Sequence, residues 1–296
     1  MRKMNLLKMA VLGSFFAFTA CDDDDMAPDY ANLELNIQGL QNVGPDYAYE
    51  GWMMVDGSPV TTGIFMVDDN GNLSQSSFEL DAVEISSATA FILTIEPYPD
   101  NDPSPSDVHI LAGDFSGNSA SVTVDHGAAL GTDFSSAMGS YILATPTDGG
   151  AMTNETSGVW WLDPTGSPDP SLDLPNLPAG WAYEGWAVID GMPVSTGRFT
   201  SVSGMDDFNS YSSTVSSGPP FPGEDFLMNA PSGLSFPTDL SGATVVISVE
   251  PVPDNSPMPF VLKPLVGSVP TNAEVHSLLE MMNNSSATNP MGTVSR

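Results

Sequence analysis

Four glutamates and two tryptophans carry most of the chemistry this sequence could offer. Glu50 stands two residues before Trp52 in "YEGWMMVDGSPVTTGIF" (49–65), and Glu184 stands two before Trp186 in "YEGWAVIDGMPVSTGRF" (183–199). The two stretches agree at eleven of seventeen positions, so the pairing is written twice. Residues two apart on a strand share a face, which sets each carboxylate beside an indole, a combination found in carbohydrate sites. A further acid, Glu96 and its counterpart Glu250, opens "EPYPDNDPSP" (96–105) and "EPVPDNSPMP" (250–259), which agree at seven of ten positions. Two carboxylates flanking one bond are the machinery of glycoside hydrolysis. The same residues also suit a structural role, with Trp in the core and each Glu, near a strand end, accepting hydrogen bonds from loop amides.

Other reactive groupings are missing. The chain has no G-x-S-x-G, H-E-x-x-H or G-x-G-x-x-G pattern and no Walker loop. His109, His126 and His276 have no counterparts between the repeats, and with so many serines a Ser/His/Asp grouping around Asp125 and His126 needs nothing beyond chance. "DDNGNLSQSSFE" (68–79) places Asp68, Asn70, Asn72 and Glu79 at positions 1, 3, 5 and 12 of a calcium loop. Leu73, however, stands where that loop needs glycine, and Asp69-Asn70-Gly71 reads as an ordinary hairpin turn. The segments "PDNDP" and "PDNSP" could hold calcium through their carboxylates, and turn formation accounts for them as well. No specific metal site and no cofactor is expected.

The first residues address the chain to the cell envelope. Arg2, Lys3 and Lys8 precede an apolar run of twelve residues, Met9 to Ala20. That is too short for a bilayer-spanning helix, which needs about 20 residues, and fits a signal-peptide core. Thr19 and Ala20 before Cys21 resemble a lipobox, with Phe18 where leucine is usual, so Cys21 is the expected lipidation site. It is the only cysteine, which excludes an intramolecular disulfide. The run Asp22–Asp25 reads as a solvated tether and resembles the surface-export signal of Bacteroidetes lipoproteins. Three of the six basic residues precede Cys21 and no acidic residue does, so the remainder carries three basic residues against 37 acidic ones, a net of −34. Such a surface repels DNA, RNA and anionic lipid, which excludes nucleic acid as a partner.

The elements that position the acids read as β. Gly and Pro total 53 residues, and 41 % apolar content with 14 Phe, 7 Tyr and 5 Trp is ample for packed cores. "YEGWMMV" and "YEGWAVI" are apolar on both faces, as in strands buried on both sides. Asp56-Gly57 and Asp190-Gly191 supply hairpin turns, and "PVTTGIF" returns as partner strand. "ATAFILTIEP" and "GATVVISVEP" give a third strand to each copy. The offsets of 134 and 154 residues mark duplication of a whole domain, with about twenty extra residues in the second copy. The expected class is all-β: two tandem Ig-like β-sandwich domains and a short C-terminal helix. The expected division is a signal peptide over 1–20, an acidic tether over 21–30, and sandwiches over 31–150 and 151–270. A helix, capped by Thr271 and Glu274, and a disordered tail occupy 271–296.

The ordered set Tyr49, Trp52, Asp56, Gly57, Pro59, Val60, Gly63, Phe65, Glu96 and Pro97 resembles the extracytoplasmic domain of anti-sigma-K factors. In the second copy it is Tyr183, Trp186, Asp190, Gly191, Pro193, Val194, Gly197, Phe199, Glu250 and Pro251. The resemblance covers roughly 35–110 and 172–262 and implies a compact β-sandwich outside the cytoplasmic membrane. The family's transmembrane helix and sigma-binding segment have no counterpart here, so direct control of a sigma factor is not expected. Because the resembled family is not enzymatic, the structural role of the acids is favoured. The expected function is a lipid-anchored, non-enzymatic outer-membrane protein, surface-exposed if the acidic run acts as an export signal. It would meet the membrane through its lipid and an envelope protein or glycan through its modules. The alternative is binding or hydrolysis of extracellular glycan through Glu50, Trp52, Glu96, Glu184, Trp186 and Glu250.

Overall fold

Segments rich in apolar and β-branched residues, interrupted by Asp-Gly, Asn-Gly and proline, favour pairing strand to strand. The computed structural model describes residues 29–254 and 256–296. The signal segment, Cys21 and the Asp22–Asp25 run lie outside the described residues. In chain order the first strands are β1 (Tyr30–Gln38), β2 (Tyr47–Val55), β3 (Ser58–Phe65), β4 (Ser77–Asp81), β5 (Ala90–Pro97), β6 (His109–Ser116) and β7 (Ser119–Thr123). Next come β8 (Met138–Leu143), β9 (Gly158–Trp160), β10 (Leu162–Asp163), β11 (Asp169–Pro170) and β12 (Leu172–Asp173). The second repeat supplies β13 (Trp181–Ile189), β14 (Met192–Phe199), β15 (Gly223–Asp225), β16 (Thr244–Pro251) and β17 (Leu265–Ser268). The chain ends with β18 (Leu279–Glu280), β19 (Met282–Asn283) and β20 (Met291–Ser295). Two short helices, α1 (Ala82–Ser87) and α2 (Ser285–Thr288), complete it. The fold is all-β and of sandwich type.

The duplication is visible strand by strand. The larger sheet runs β3-β2-β5-β6-β7-β20-β1-β4 and the second runs β14-β13-β16-β17-β19, so the first four positions correspond. Asp56 and Gly57 adopt φ of +50° and +77°, and Asp190 and Gly191 adopt +52° and +83°. Two successive left-handed residues make the primed turn whose twist matches a hairpin, and Asp-Gly tolerates it at little cost. The turn sets the register: Tyr49 faces Phe65 and Gly51 faces Gly63, as Tyr183 faces Phe199 and Gly185 faces Gly197. Each ladder then shifts between the glycine and the tryptophan, a β-bulge in the same place.

The C-terminal segment differs from expectation. Thr271 lies in a turn and Glu274 in irregular chain, not at a helix start, and "VHSLLEMM" contributes β18, whose Leu279 pairs with Tyr141. The only α-helix there is the four-residue α2. Residues 291–295 are no tail: β20 lies between β1 and β7, pairing Val294 with both Leu35 and Ala120. The reason is apolar: Val294 is wholly buried, and Arg296 lies over the Phe115 ring at 4.3 Å while donating to the carbonyls of Ile85, Ala88 and Gly117.

The division near residue 150 is likewise corrected. It falls between β8 and β9, which pair with each other, and β8 also pairs with β12 and β18 from the second half. The Asn283 amide donates to the carbonyls of Phe134 and Ala137 at 2.7 and 3.0 Å. One hydrophobic cluster joins Leu33, Phe91 and Val294 to Trp161, Val245 and Leu265. A chain ending at Thr288 is therefore expected to lose stability by about 3 kcal/mol or more, the scale of losing a buried side chain together with its ladder bonds. Urea melts of the truncated and full chains check this. By the same pairing, a fragment over 31–150 should show no cooperative transition.

Candidate functional site

The residues of "YEGW" are each used in a specific contact, twice over. The Tyr49 hydroxyl donates to the Gln41 carbonyl at 2.8 Å, and Tyr183 does the same to Pro175 at 2.6 Å. Both rings stack on the phenylalanine opposite, Phe65 or Phe199. Gly51 and Gly185 make room for a ring. A Cβ on Gly51 would lie 2.9 Å from Phe91, and one on Gly185 would lie 2.4 Å from Trp161. Glu50 accepts a hydrogen bond from the Thr61 hydroxyl, and Glu184 accepts one from Ser195. The bulge makes this possible by placing Thr61 and Ser195 opposite the tryptophans instead of the next residue along.

The indoles do not partner the acids that precede them. Trp52 Nε1 donates to Thr94 Oγ1 at 2.9 Å, and Thr94 donates to Glu96, which also receives the Ser106 amide at 2.9 Å. In the second copy Trp186 Nε1 donates to Ser248 Oγ at 2.7 Å, Ser248 donates to Glu250, and the Phe260 amide donates to Glu250 at 2.8 Å. Each network thus runs from indole to hydroxyl to carboxylate, and a loop amide closes it. Relative exposure is 8 % for Glu50, 1 % for Glu96, 5 % for Glu184, 0 % for Glu250 and 2 % for each tryptophan. With both indole faces covered, neither Trp is a platform for a sugar. The hydroxyls of Thr94 and Ser248 had a sequence signal, a Thr/Ser two residues before Glu-Pro in both copies.

The two copies differ in how their acids cluster. Burial pushes Glu184 up to about 7 and Glu250 up to about 8, against the pull of the serine hydroxyls, and it raises Glu50 as well. One oxygen each from Glu184, Glu250 and Asp254 lie within 4.8 Å of one another, a grouping able to hold a metal ion. Among the described residues it is the only one of its kind. Asp254 and Glu250 border a cleft of about 650 Å³ between the repeats, which Asp46, Tyr47, Asp107 and Phe260 also line, with no basic residue.

The remaining candidates resolve as turn and loop chemistry. Asp68 accepts the amides of Asn70 and Asn72 and the Asn72 side chain, an Asx turn, while Glu79 sits on β4 opposite Asn32. His126 accepts the Ala128 amide and faces Asp114 at 3.5 Å. Sequence reasoning missed a third acid group in the extra segment of the second copy. Asp225 binds the Trp160 indole at 2.7 Å and the Thr147 amide at 2.9 Å, and Glu224 takes the Ser212 hydroxyl. Asp206 accepts the Gly223 amide at 2.8 Å. An adjacent Glu-Asp inside "PPFPGEDFL" was the available signal, since two acids amid apolar residues need partners.

Nothing matches. Comparison with protein-family models, with curated proteins and with solved structures finds no counterpart to this chain.

Two outcomes follow from this geometry. Trp52→Ala and Trp186→Ala should each lower stability by about 3–5 kcal/mol in denaturant melts, as for other fully buried large side chains; a shift under about 1 kcal/mol in both would contradict the packing. The second outcome concerns pH. Burial raises Asp206 to about 7 and Glu224 to about 8, so the folded chain keeps protons that an unfolded chain, with carboxyls near 4, releases. Their contribution to stability is whole below about pH 4 and is lost as pH rises through 7 to 8. The urea midpoint in chelating buffer should fall between about pH 5 and pH 8.5, and Glu224→Gln should flatten that slope.

Proposed function

We propose that this chain is a lipid-anchored, non-enzymatic component of the outer membrane. On this reading its duplicated β modules, similar to the extracytoplasmic domain of anti-sigma-K factors, serve interaction or structure. The observation that carries the non-enzymatic reading is the use to which the paired carboxylates are put. Glu96 and Glu250 accept a hydroxyl and a loop amide each, inside the sheet, with their tryptophans covered. A glycosidase needs its two carboxyls open to the sugar, so burial counts against binding or hydrolysis of glycan through the Glu/Trp pairs. The anchor reading rests on Cys21 after a basic and apolar leader. On this reading an envelope partner meets the cleft between the repeats, which prolines and apolar residues line together with Asp46, Asp69, Asp107, Glu250 and Asp254.

Cys21→Ala tests the anchor. The variant should appear in the soluble fraction, or remain uncleaved, and should lose incorporation of labelled fatty acid. A variant that stays membrane-bound with a processed terminus overturns the reading.

A further inference from the structure

We propose that Glu184, Glu250 and Asp254 form a calcium site at the edge of the cleft between the repeats. The placement follows from the strands. In the β13–β16 ladder Glu184 faces Ser248 and Ala182 faces Glu250. Glu184 and Glu250 are therefore diagonal neighbours on one face of adjacent strands, a separation that side chains of this length bridge. Asp254 follows four residues after Glu250, in the turn beyond the strand, where one of its oxygens accepts the Ser256 amide at 2.8 Å.

An acidic cluster alone is not a binding site, and the decisive observation is a separate one. Glu184 and Glu250 each commit Oε1 to the fold, bonded to Ser195 in one case and to Ser248 and the Phe260 amide in the other. The second oxygen of each, Oε2, is buried and has no hydrogen-bond partner. Unpartnered carboxylate oxygens at this depth are costly, and a cation between them supplies the missing partner. Among the described residues no basic side chain forms an ion pair with either glutamate. Arg198 is held by Asp207 at 3.0 Å, and the Lys263 ammonium donates to the Phe260 carbonyl at 2.6 Å.

The ligand type and its placement favour calcium. Calcium takes oxygen ligands at about 2.3–2.6 Å in flexible geometry, whereas magnesium demands near-ideal octahedral geometry at about 2.0–2.1 Å. Three carboxylate oxygens within 4.8 Å of one another, carried on two strands and a loop, suit the more tolerant ion. The cleft leaves one side open, so water or a ligand's oxygen can complete the shell. The first repeat provides an internal control. Glu50, Glu96 and Asp100 occupy the matching sequence positions, yet they close into no such group among the described residues.

The test titrates calcium chloride into the chelator-treated chain at fixed ionic strength, followed by calorimetry and by the melting temperature. One saturable site is expected, with a dissociation constant on the order of 10⁻⁴–10⁻³ M, as in extracellular modules. Terbium should give luminescence sensitised by the nearby tryptophan and be displaced by calcium. Asp254→Asn, at a half-buried turn position, should weaken calcium binding at least about tenfold while leaving the metal-free melting temperature near that of the parent. Glu250→Gln should abolish binding, and Glu96→Gln in the first repeat should not. Absence of saturable binding up to about 10 mM calcium overturns the proposal. So does an unchanged affinity in Asp254→Asn, or a response to magnesium equal to that to calcium, which would mark mere screening of the acidic surface.

Discussion

The repeat unit depends on a carboxylate that cannot be hydrated. In each copy a glutamate is carried into the sheet interior on the strand that ends Glu-Pro, where its carboxylate needs partners. A strand hydroxyl and a loop amide supply them at Oε1, and the hydroxyl in turn accepts the indole N–H from the neighbouring strand. Three elements are tied at once: the hairpin strand, its neighbour and the loop after the proline. Substituting any member leaves a buried partner unsatisfied, which costs more than the bond itself contributes. This explains why the residues kept between the copies are these, while Met53 and Ala187, or Ile64 and Arg198, are free to differ.

The second constraint is closure of the larger sheet. β20 arrives from the far end of the chain and fills the gap between β1 and β7. Both termini of the described chain therefore lie in the same sheet, and the second repeat is enclosed in sequence by pieces of the first. A duplicated gene yields two like modules, but here a terminal strand from beyond the second repeat completes the first repeat's sheet, and one hydrophobic core is shared.

The charge of −34 expected after the signal adds a third. Most of the acids sit outside, where they keep the surface hydrated and repel like chains. A minority are internal, at Glu50, Glu96, Glu184, Glu224, Asp225 and Glu250, and their partners are hydroxyls, amides and indoles because scarcely any basic residue exists to pair with them. With that scarcity, one buried carboxylate oxygen each on Glu184, Glu224 and Glu250 has no hydrogen-bond partner, where a protein richer in lysine and arginine would form an ion pair.

The sequence by itself determined what is local. Asp-Gly at two hairpins, glycine before tryptophan, unbroken apolar runs and a repeat offset were enough to specify the all-β class, the duplicated hairpin and the burial of Trp52 and Trp186. Each of these depends on residues within one turn or one strand. Tertiary structure decided the pairings. Which acid each indole would reach depended on the pairing of β2 with β5 and of β13 with β16, and which hydroxyl Glu50 and Glu184 would reach depended on a bulge that shifts register by one residue; a periodicity of two reveals neither. The local helix signal at Thr271 and Glu274 gave way to strand pairing with β8 and β17, between which Met281 is buried. The strand at 291–295 buries one apolar residue, Val294, while Met291 stays exposed, too weak a pattern to read alone. Only the gap between β1 and β7 makes it a strand, and that gap exists only once the rest of the sheet has formed.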